Sequence, residues 1–235
     1  MARGQAQPKG GTALSHPDAK LEFWRTGRIA PRAPATPKPI GLGRLGFVIA
    51  DVTDKGVPAA LFMALSRTLI RATASDGHTP QAVLERANRL ILADARSGLF
   101  VTCFYGILDI ESGDMVFADG GHNYPLHYRT SSASVEPLQA QGIVLGIVPE
   151  PRFEQHATVI APGDVLCFYT DGVTEAMNQR RQLFGEERLA EILRRSHHLT
   201  PEEIIDRIID AVTSFTAGTP QADDITLVVL KRDQA

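Results

Sequence analysis

Apolar and polar positions along this chain follow two periods, and the switches between them outline its elements. Residues 45–50 form a near-continuous apolar run of strand length. Pro58 then stands at a first helical position, and Leu61, Phe62, Leu65, Leu69 and Ala72 recur at helical spacing over 59–73. Thr79-Pro80 opens a second helix through about residue 95, with Val83, Leu84, Ala87, Leu90 and Ile91 on one face. Residues 99–110, rich in Phe, Val, Thr and Tyr, predict a long strand, and Glu111-Ser-Gly-Asp114 a hairpin turn into 115–118. Further strands are predicted at 126–129, 155–160 and 165–169, the last two joined by the turn Ala161-Pro-Gly-Asp164. Helices follow at 186–195 and 201–216, the second opened by a capping box of Thr200 and Glu203, and a buried strand at 225–231 closes the chain. Strands in antiparallel groups, with one helix pair early and another late, predict an α+β protein: two antiparallel sheets flanked by helix pairs.

Residues 1–42 break this pattern. The first forty hold seven Lys or Arg, two acidic residues and six Pro, and show no sustained apolar period. Too little apolar surface is present to offset ordering entropy, so 1–42 are expected to be a disordered or atypical segment before a domain over 43–235. An Arg-rich, acid-poor start also resembles a transit peptide, as a minor alternative.

Composition narrows the function classes. A net charge of −3 supplies no basic field for nucleic acid or an anionic membrane. No apolar run approaches the ~18–20 residues that span a bilayer, and the start lacks the apolar stretch of a secretory signal. Cys103 and Cys167 each lie in an apolar run and read as buried thiols, which places the chain in a reducing cytoplasm.

The chemistry gathers in three acidic segments at the ends of apolar runs: Phe47-Val-Ile-Ala-Asp51-Val-Thr-Asp54, Leu166-Cys-Phe-Tyr-Thr-Asp171-Gly172 and Ala222-Asp223-Asp224-Ile-Thr-Leu-Val-Val-Leu230. A carboxylate at the rim of a buried strand carries a desolvation penalty unless it is neutralised, and converging carboxylates repel one another. A divalent cation resolves both problems, and oxygen ligands without Cys or His favour Mg²⁺ or Mn²⁺. Taken singly, each Asp is better read as starting a turn or capping a helix; the three together, with strand-like runs beside them, favour a metal site.

The segment Ala50-Asp51-Val52-Thr53-Asp54-Lys55-Gly56-Val57-Pro58-Ala59-Ala60-Leu61 resembles the first motif of bacterial serine phosphatases of the type 2C, metal-dependent class, those related to stage II sporulation protein E and the sigma-B regulatory phosphatases. The resemblance continues, in order, through Phe100-Val-Thr102, Tyr105-Gly106, Gly120-Gly121-His122-Asn123, Pro162-Gly163-Asp164, Tyr169-Thr170-Asp171-Gly172-Val173-Thr174-Glu175-Ala176, Phe184-Gly185 and Ala222-Asp223-Asp224-Ile225-Thr226. It implies a two-sheet β-sandwich with two Mn²⁺ or Mg²⁺ ions at one end. In that scheme Asp51 bridges both ions, Val52 offers a backbone carbonyl, and Asp171 and Asp223 are the remaining carboxylates. Asp224 supports the site, although either member of the Asp223-Asp224 pair could be the ligand. The implied activity is hydrolysis of phosphoserine on a regulatory protein of the anti-sigma-factor antagonist type, through a water activated by the ions. Metal ions suit that chemistry because they supply a nucleophile at neutral pH and a clamp on phosphoryl charge, so no covalent Ser or Cys is needed.

Other residues carry two readings. His122 is either a general acid near the phosphate or, the better reading, the organiser of its own loop. Lys55 either attracts phosphate or is a solvated loop lysine paired with Asp54, and Thr102 either supports the site or is an ordinary strand threonine. Gly56 and Gly172 relax the backbone where it approaches metal. In relatives the helix pair over 59–95 is tied to regulation or dimerisation.

The family's domain opens with a Gly-Gly-Asp-Phe-Tyr-Asp-like segment that helps build the sandwich and supplies an acidic group near the second metal. It is missing here; Ala30-Pro31-Arg32-Ala33-Pro34-Ala35-Thr36-Pro37-Lys38-Pro39 stands in its place. The expected consequences are missing first strands, an uncovered apolar face that promotes homodimers, and a weakened second metal site. The alternative to an enzyme is then a catalytically weak regulatory module of the same fold. A receiver-type phospho-acceptor would require regular βα alternation, which the hairpin-rich stretch 99–170 contradicts.

Overall fold

The computed structural model describes residues 21–27, 35–39, 43–54, 56–74, 77–94, 98–221 and 223–233, the first two segments as backbone. Ten strands, β1 (Leu21–Gly27), β2 (Ala35–Pro39), β3 (Arg44–Val52), β4 (Val101–Asp109), β5 (Asp114–Gly120), β6 (Leu126–Arg129), β7 (Ser134–Pro137), β8 (Gln155–Val159), β9 (Val165–Tyr169) and β10 (Thr226–Arg232), form two antiparallel five-stranded sheets. One has the order β2-β3-β4-β5-β8, the other β1-β10-β9-β6-β7. Helices α1 (Val57–Thr73) and α2 (Pro80–Asp94) cover the first sheet. The one-turn α3 (Asp171–Thr174) follows β9, and α4 (Glu186–Ser196) and α5 (Pro201–Thr216) cover the second sheet.

The near-continuous apolar strands are explained by burial on both faces. In β3, Phe47 and Ile49 point between the sheets, where they meet Phe104, Phe117, Leu166, Phe168, Val228 and Leu230. Their neighbours Val48, Ala50 and Val52 point the other way, into a core shared with Phe62, Met63, Ile70, Val83, Leu84 and Ile91 of the helices. The opposite sheet repeats the scheme, with Val165, Cys167, Tyr169, Leu227 and Val229 against Leu189, Leu193, Ile204 and Ile208. Phe168 ties the sheets together, stacking on Phe47 and meeting Phe104 edge-on, both at 5.8 Å between ring centres. The result is the expected α+β sandwich flanked by helix pairs, in four layers.

Cys103 and Cys167 are free, buried and in different cores, and burial pushes the Cys167 thiol up to about 12. The capping box of α5 forms as expected, Glu203 N–H donating to Thr200 Oγ1 and Thr200 N–H to Glu203 Oε2. No described helix is long and apolar enough to cross a membrane.

The N-terminal segment departs from expectation. Residues 21–27 and 35–39, read as part of an irregular stretch, each add a strand: β1 pairs with β10 and β2 with β3. The first strands expected to be missing are therefore supplied at one edge of each sheet. Leu21-Glu-Phe-Trp-Arg-Thr-Gly27 has strand formers, and its basic surroundings and short length hid them. In β2, Pro37 and Pro39 are two residues apart, so both missing N–H groups fall on one side, which an edge strand can turn away from its partner. The rest of 1–42 lies outside the described residues.

Candidate active site

The alternation that builds the core also places the acidic residues. Asp51 continues the series Phe47, Ile49 on the inter-sheet face and comes at the end of β3, where that core gives out. Its carboxylate Oδ1 accepts the Val52 N–H at 3.0 Å. Across the ladder Asp51 pairs with Thr102, whose hydroxyl lies 3.3 Å from the Asp51 carbonyl oxygen and 2.9 Å from His122 Nδ1. Thr53 and Phe100 lock the next step: the Phe100 N–H donates to Thr53 Oγ1, and the Thr53 N–H to the Phe100 carbonyl, both at 3.2 Å. The chain then turns into α1 through Asp54 (φ 75°) and Gly56 (φ 97°). A Cβ on Gly56 would meet nothing nearer than Pro58 Cδ at 3.9 Å, so the dihedral, not crowding, calls for glycine there. Lys55 lies outside the described residues.

The second sheet brings its carboxylates to the same rim. The Thr170 N–H donates to the Thr226 carbonyl at 3.1 Å, the Thr226 N–H donates to Thr170 Oγ1 at 2.9 Å, and Thr170 Oγ1 donates to the Asp224 carbonyl at 2.9 Å. This clamp sets the end of β9 beside the start of β10, and so Asp171 beside Asp223. Burial, and then the Asp223 charge, push the Asp171 carboxyl above its ordinary value. Its Oδ1 is buried and has no hydrogen-bond partner among the described residues. Gly172 makes this approach feasible, since a Cβ there would stand 2.4 Å from the Asp224 carbonyl oxygen and 3.2 Å from that of Asp223. An orphaned carboxylate oxygen next to a second carboxylate fits a hard cation, which would relieve both desolvation and repulsion.

His122 stands between the sheets. Its ring bonds Thr102 on one side and feels the Tyr169 carbonyl on the other. Burial pushes the imidazole down to about 4, with the Tyr169 carbonyl pulling the opposite way, so the ring is neutral at neutral pH. That favours the loop-ordering reading over an imidazolium acid. The structure thus brings Asp171 and Asp223 together and sets Asp51 on the rim of the facing sheet. Among the described residues no three carboxylate, imidazole or thiol groups group closely enough to hold an ion.

Residues 41–233 match the Stage II sporulation protein E (SpoIIE) family. The chain belongs to that family. Its SpoIIE domain is 31% identical over 221 residues to Protein IcfG of Synechocystis sp., covering 83% of this chain and 34% of that protein. It is 28% identical over 188 residues to the phosphoserine phosphatase RsbU of Bacillus subtilis, covering 80% of this chain and 56% of RsbU. The chain thus spans a third to just over half the length of these relatives. The crystal structure of the RsbU and RsbW domains of Rv1364c from Mycobacterium tuberculosis superposes with a TM-score of 0.76 at 26% identity, over 92% of this chain and 62% of that one. The fold is that of type 2C serine phosphatase domains.

Three supports of the SpoIIE domain escaped the sequence reading. Asp119, 1% exposed at the end of β5, accepts the Gly121 N–H at 2.8 Å and the His122 N–H at 3.2 Å, so it shapes the Gly-Gly-His loop from below. Burial pushes its carboxyl up to about 7 against those two donors. An Asp immediately before Gly-Gly at a strand end was the available signal. Asn88, fully buried on α2, accepts the Gly146 N–H at 2.9 Å and donates to the Val148 carbonyl at 2.8 Å, holding the 142–148 loop beside β4. Asp164, which the sequence offers as a turn residue and as part of the Pro162-Gly163-Asp164 motif without a structural role, is buried against His127 at 2.9 Å and also accepts the Thr130 and Ala161 N–H groups.

Proposed function

We propose that this domain is a Mn²⁺- or Mg²⁺-dependent protein serine/threonine phosphatase, hydrolysing phosphoserine on a regulatory protein of the anti-sigma-factor antagonist type in a cytoplasmic partner-switching system. The observation that carries the reading is the buried, partnerless Asp171 Oδ1 set against Asp223 at the rim of a SpoIIE-family sandwich. Similarity to RsbU, a phosphoserine phosphatase, supports the substrate class. The two buried free thiols support a reducing compartment.

In this reading Asp51, the Val52 carbonyl, Asp171 and Asp223 hold two ions, with Asp224 buttressing Gly172. When bound, such ions supply an activated water and draw charge from the phosphoryl oxygens. The protein's own part is positioning. The Thr170–Thr226 clamp fixes the separation of Asp171 and Asp223, and Thr102 with His122 fixes Asp51 against the facing sheet. Neutral His122 adds no positive charge that would compete with a cation.

The test is Mn²⁺-dependent hydrolysis of p-nitrophenyl phosphate and of a phosphoserine protein by wild type and Asp171→Ala. Loss of turnover in the variant is expected; equal rates would remove the enzyme reading. That no three acidic, imidazole or thiol groups among the described residues stand close enough to hold an ion favours a second reading, a weak or inactive regulatory module that binds its partner. Calorimetric titration separates the two: two Mn²⁺ sites support the enzyme, whereas one weak site or none supports the module.

A further inference from the structure

Between α3 and α4 the chain makes a small hairpin that the catalytic reading leaves without a task. Its arms pair Met177 with Leu183, and the Phe184 N–H donates to the Ala176 carbonyl at 2.9 Å. At its tip the Asn178 N–H donates to the Gln182 carbonyl at 3.1 Å and the Arg181 N–H to the Asn178 carbonyl at 2.9 Å, enclosing Gln179, Arg180 and Arg181. Asn178 Oδ1 also accepts the Arg180 and Gln182 N–H groups, at 2.9 and 3.0 Å.

The hairpin is tied to α3 and to the end of α5. Its first arm, from Ala176, follows directly on α3, whose last turn closes with the Glu175 N–H donating to the Asp171 carbonyl at 2.7 Å. Gln179 Nε2 donates to the Ala217 carbonyl at 3.3 Å, at the head of the loop that ends in Asp223. Behind it, Arg188 donates to the Leu183 and Phe184 carbonyls and lies 4.8 Å over the Phe215 ring. This is a braced prong at the carboxylate rim.

What the prong displays is unusual for a stable turn. Arg180 and Arg181 are both exposed, and neither guanidinium has a hydrogen bond, ion pair or ring partner among the described residues. Arg181 sits at φ 58°, the left-handed position of a three-residue hairpin loop, where Gly or Asn is preferred. A long cationic side chain at a strained position that glycine would suit points to use of the side chain. Below the tip, Met177 and Leu183 are 39% and 49% exposed and, being directly opposite, share one face.

We propose that this hairpin docks the protein substrate by its sequence around the phosphoserine, Arg180 and Arg181 reading acidic side chains and Met177 with Leu183 an adjacent apolar one. The inference rests on the phosphatase reading. The arm 176–178 carries the tip roughly 10 Å beyond α3, about three residues of extended peptide, so the arginines meet flanking residues and not the phosphate itself. An acidic flank fits two unpaired guanidiniums, which also form bidentate contacts with carboxylates.

The test measures fluorescence anisotropy of two labelled phosphoserine peptides with the Mn²⁺-loaded protein, one flanked by Asp and Glu, its control by Asn and Gln. Two exposed Arg–carboxylate pairs predict a roughly tenfold preference for the acidic peptide, fading with salt. The preference should vanish in Arg180→Ala/Arg181→Ala. In Arg181→Gly it should fall about threefold with no loss of Tm, since glycine relieves the turn. Equal binding of both peptides by wild type, or a preference that survives the double substitution, overturns the proposal. Hydrolysis of p-nitrophenyl phosphate by wild type in the same preparation reports separately on the phosphatase reading: a peptide preference without hydrolysis retains the docking hairpin and rejects the enzyme.

Discussion

Asp119 gives the sharpest link between burial and a measurable pH effect. It is 1% exposed, and burial pushes its carboxyl up to about 7, the Gly121 and His122 N–H donors pulling the other way. An unfolded Asp titrates near ~3.9, so between about pH 4 and 7 the folded state keeps a proton that the unfolded state has lost. Folded protein binding the extra proton means that stability falls as pH rises through this window and levels off above about 7. Over pH 5 to 8 the change covers roughly two pKa units, or about 3 kcal/mol. Asp119→Asn cannot ionise but keeps a carbonyl oxygen for the same donors. The Tm of the variant relative to wild type should therefore climb with pH, by roughly 5–10 °C between pH 5 and 8 at 2–4 °C per kcal/mol for a chain of this size. Paired thermal melts in chelator, with metal absent, isolate the effect, because titrations common to both proteins cancel. Parallel Tm curves across that range would refute the assignment of a buried, proton-holding Asp119.

Asp171→Asn should abolish Mn²⁺-dependent turnover by at least about 100-fold while raising Tm in chelator, because repulsion from Asp223 is relieved. Gly172→Ala puts a Cβ 2.4 Å from the Asp224 carbonyl oxygen and should lower turnover by ~10–100-fold through backbone displacement, read beside calorimetric Mn²⁺ binding. Asn88→Ala strands the Gly146 N–H and Val148 carbonyl at a fully buried position and should destabilise by about 2–3 kcal/mol in urea unfolding. Asp164→Ala leaves His127 and two backbone donors without their acceptor and should destabilise by roughly 3–5 kcal/mol.

What could be seen in the sequence, and what could not, divides along one physical line. Local period carried most strands and helices from residue 44 onward, because they are packed on both sides or along one face; the half-exposed β7 and the one-turn α3 left no such period and went unread. The apolar run also marked Asp51 as a carboxylate at a strand end, whereas its place on the inter-sheet face, two residues beyond Ile49, needed the folded sheets. The edge strands β1 and β2 were missed because an edge needs only one partner and tolerates Pro37 and Pro39, so pairing leaves little trace in composition. Asp119 and Asn88 were missed for another reason: a buried polar residue is defined by the backbone groups it satisfies, and Gly121, Gly146 and Val148 declare themselves only once the chain is folded.

The metal reading shows both limits at once. That Asp171 and Asp223 would meet was legible as two acidic strand ends. That Asp171 Oδ1 would be buried without a partner depends on Gly172 letting the Asp223–Asp224 backbone close over it. An acidic rim alone is compatible with capping and turns. A rim that buries one carboxylate oxygen without a partner among the described residues, beside a second carboxylate, fits a cation better than it fits a cap or a turn, and so the phosphatase reading leans on that one atom more than on the number of carboxylates around it.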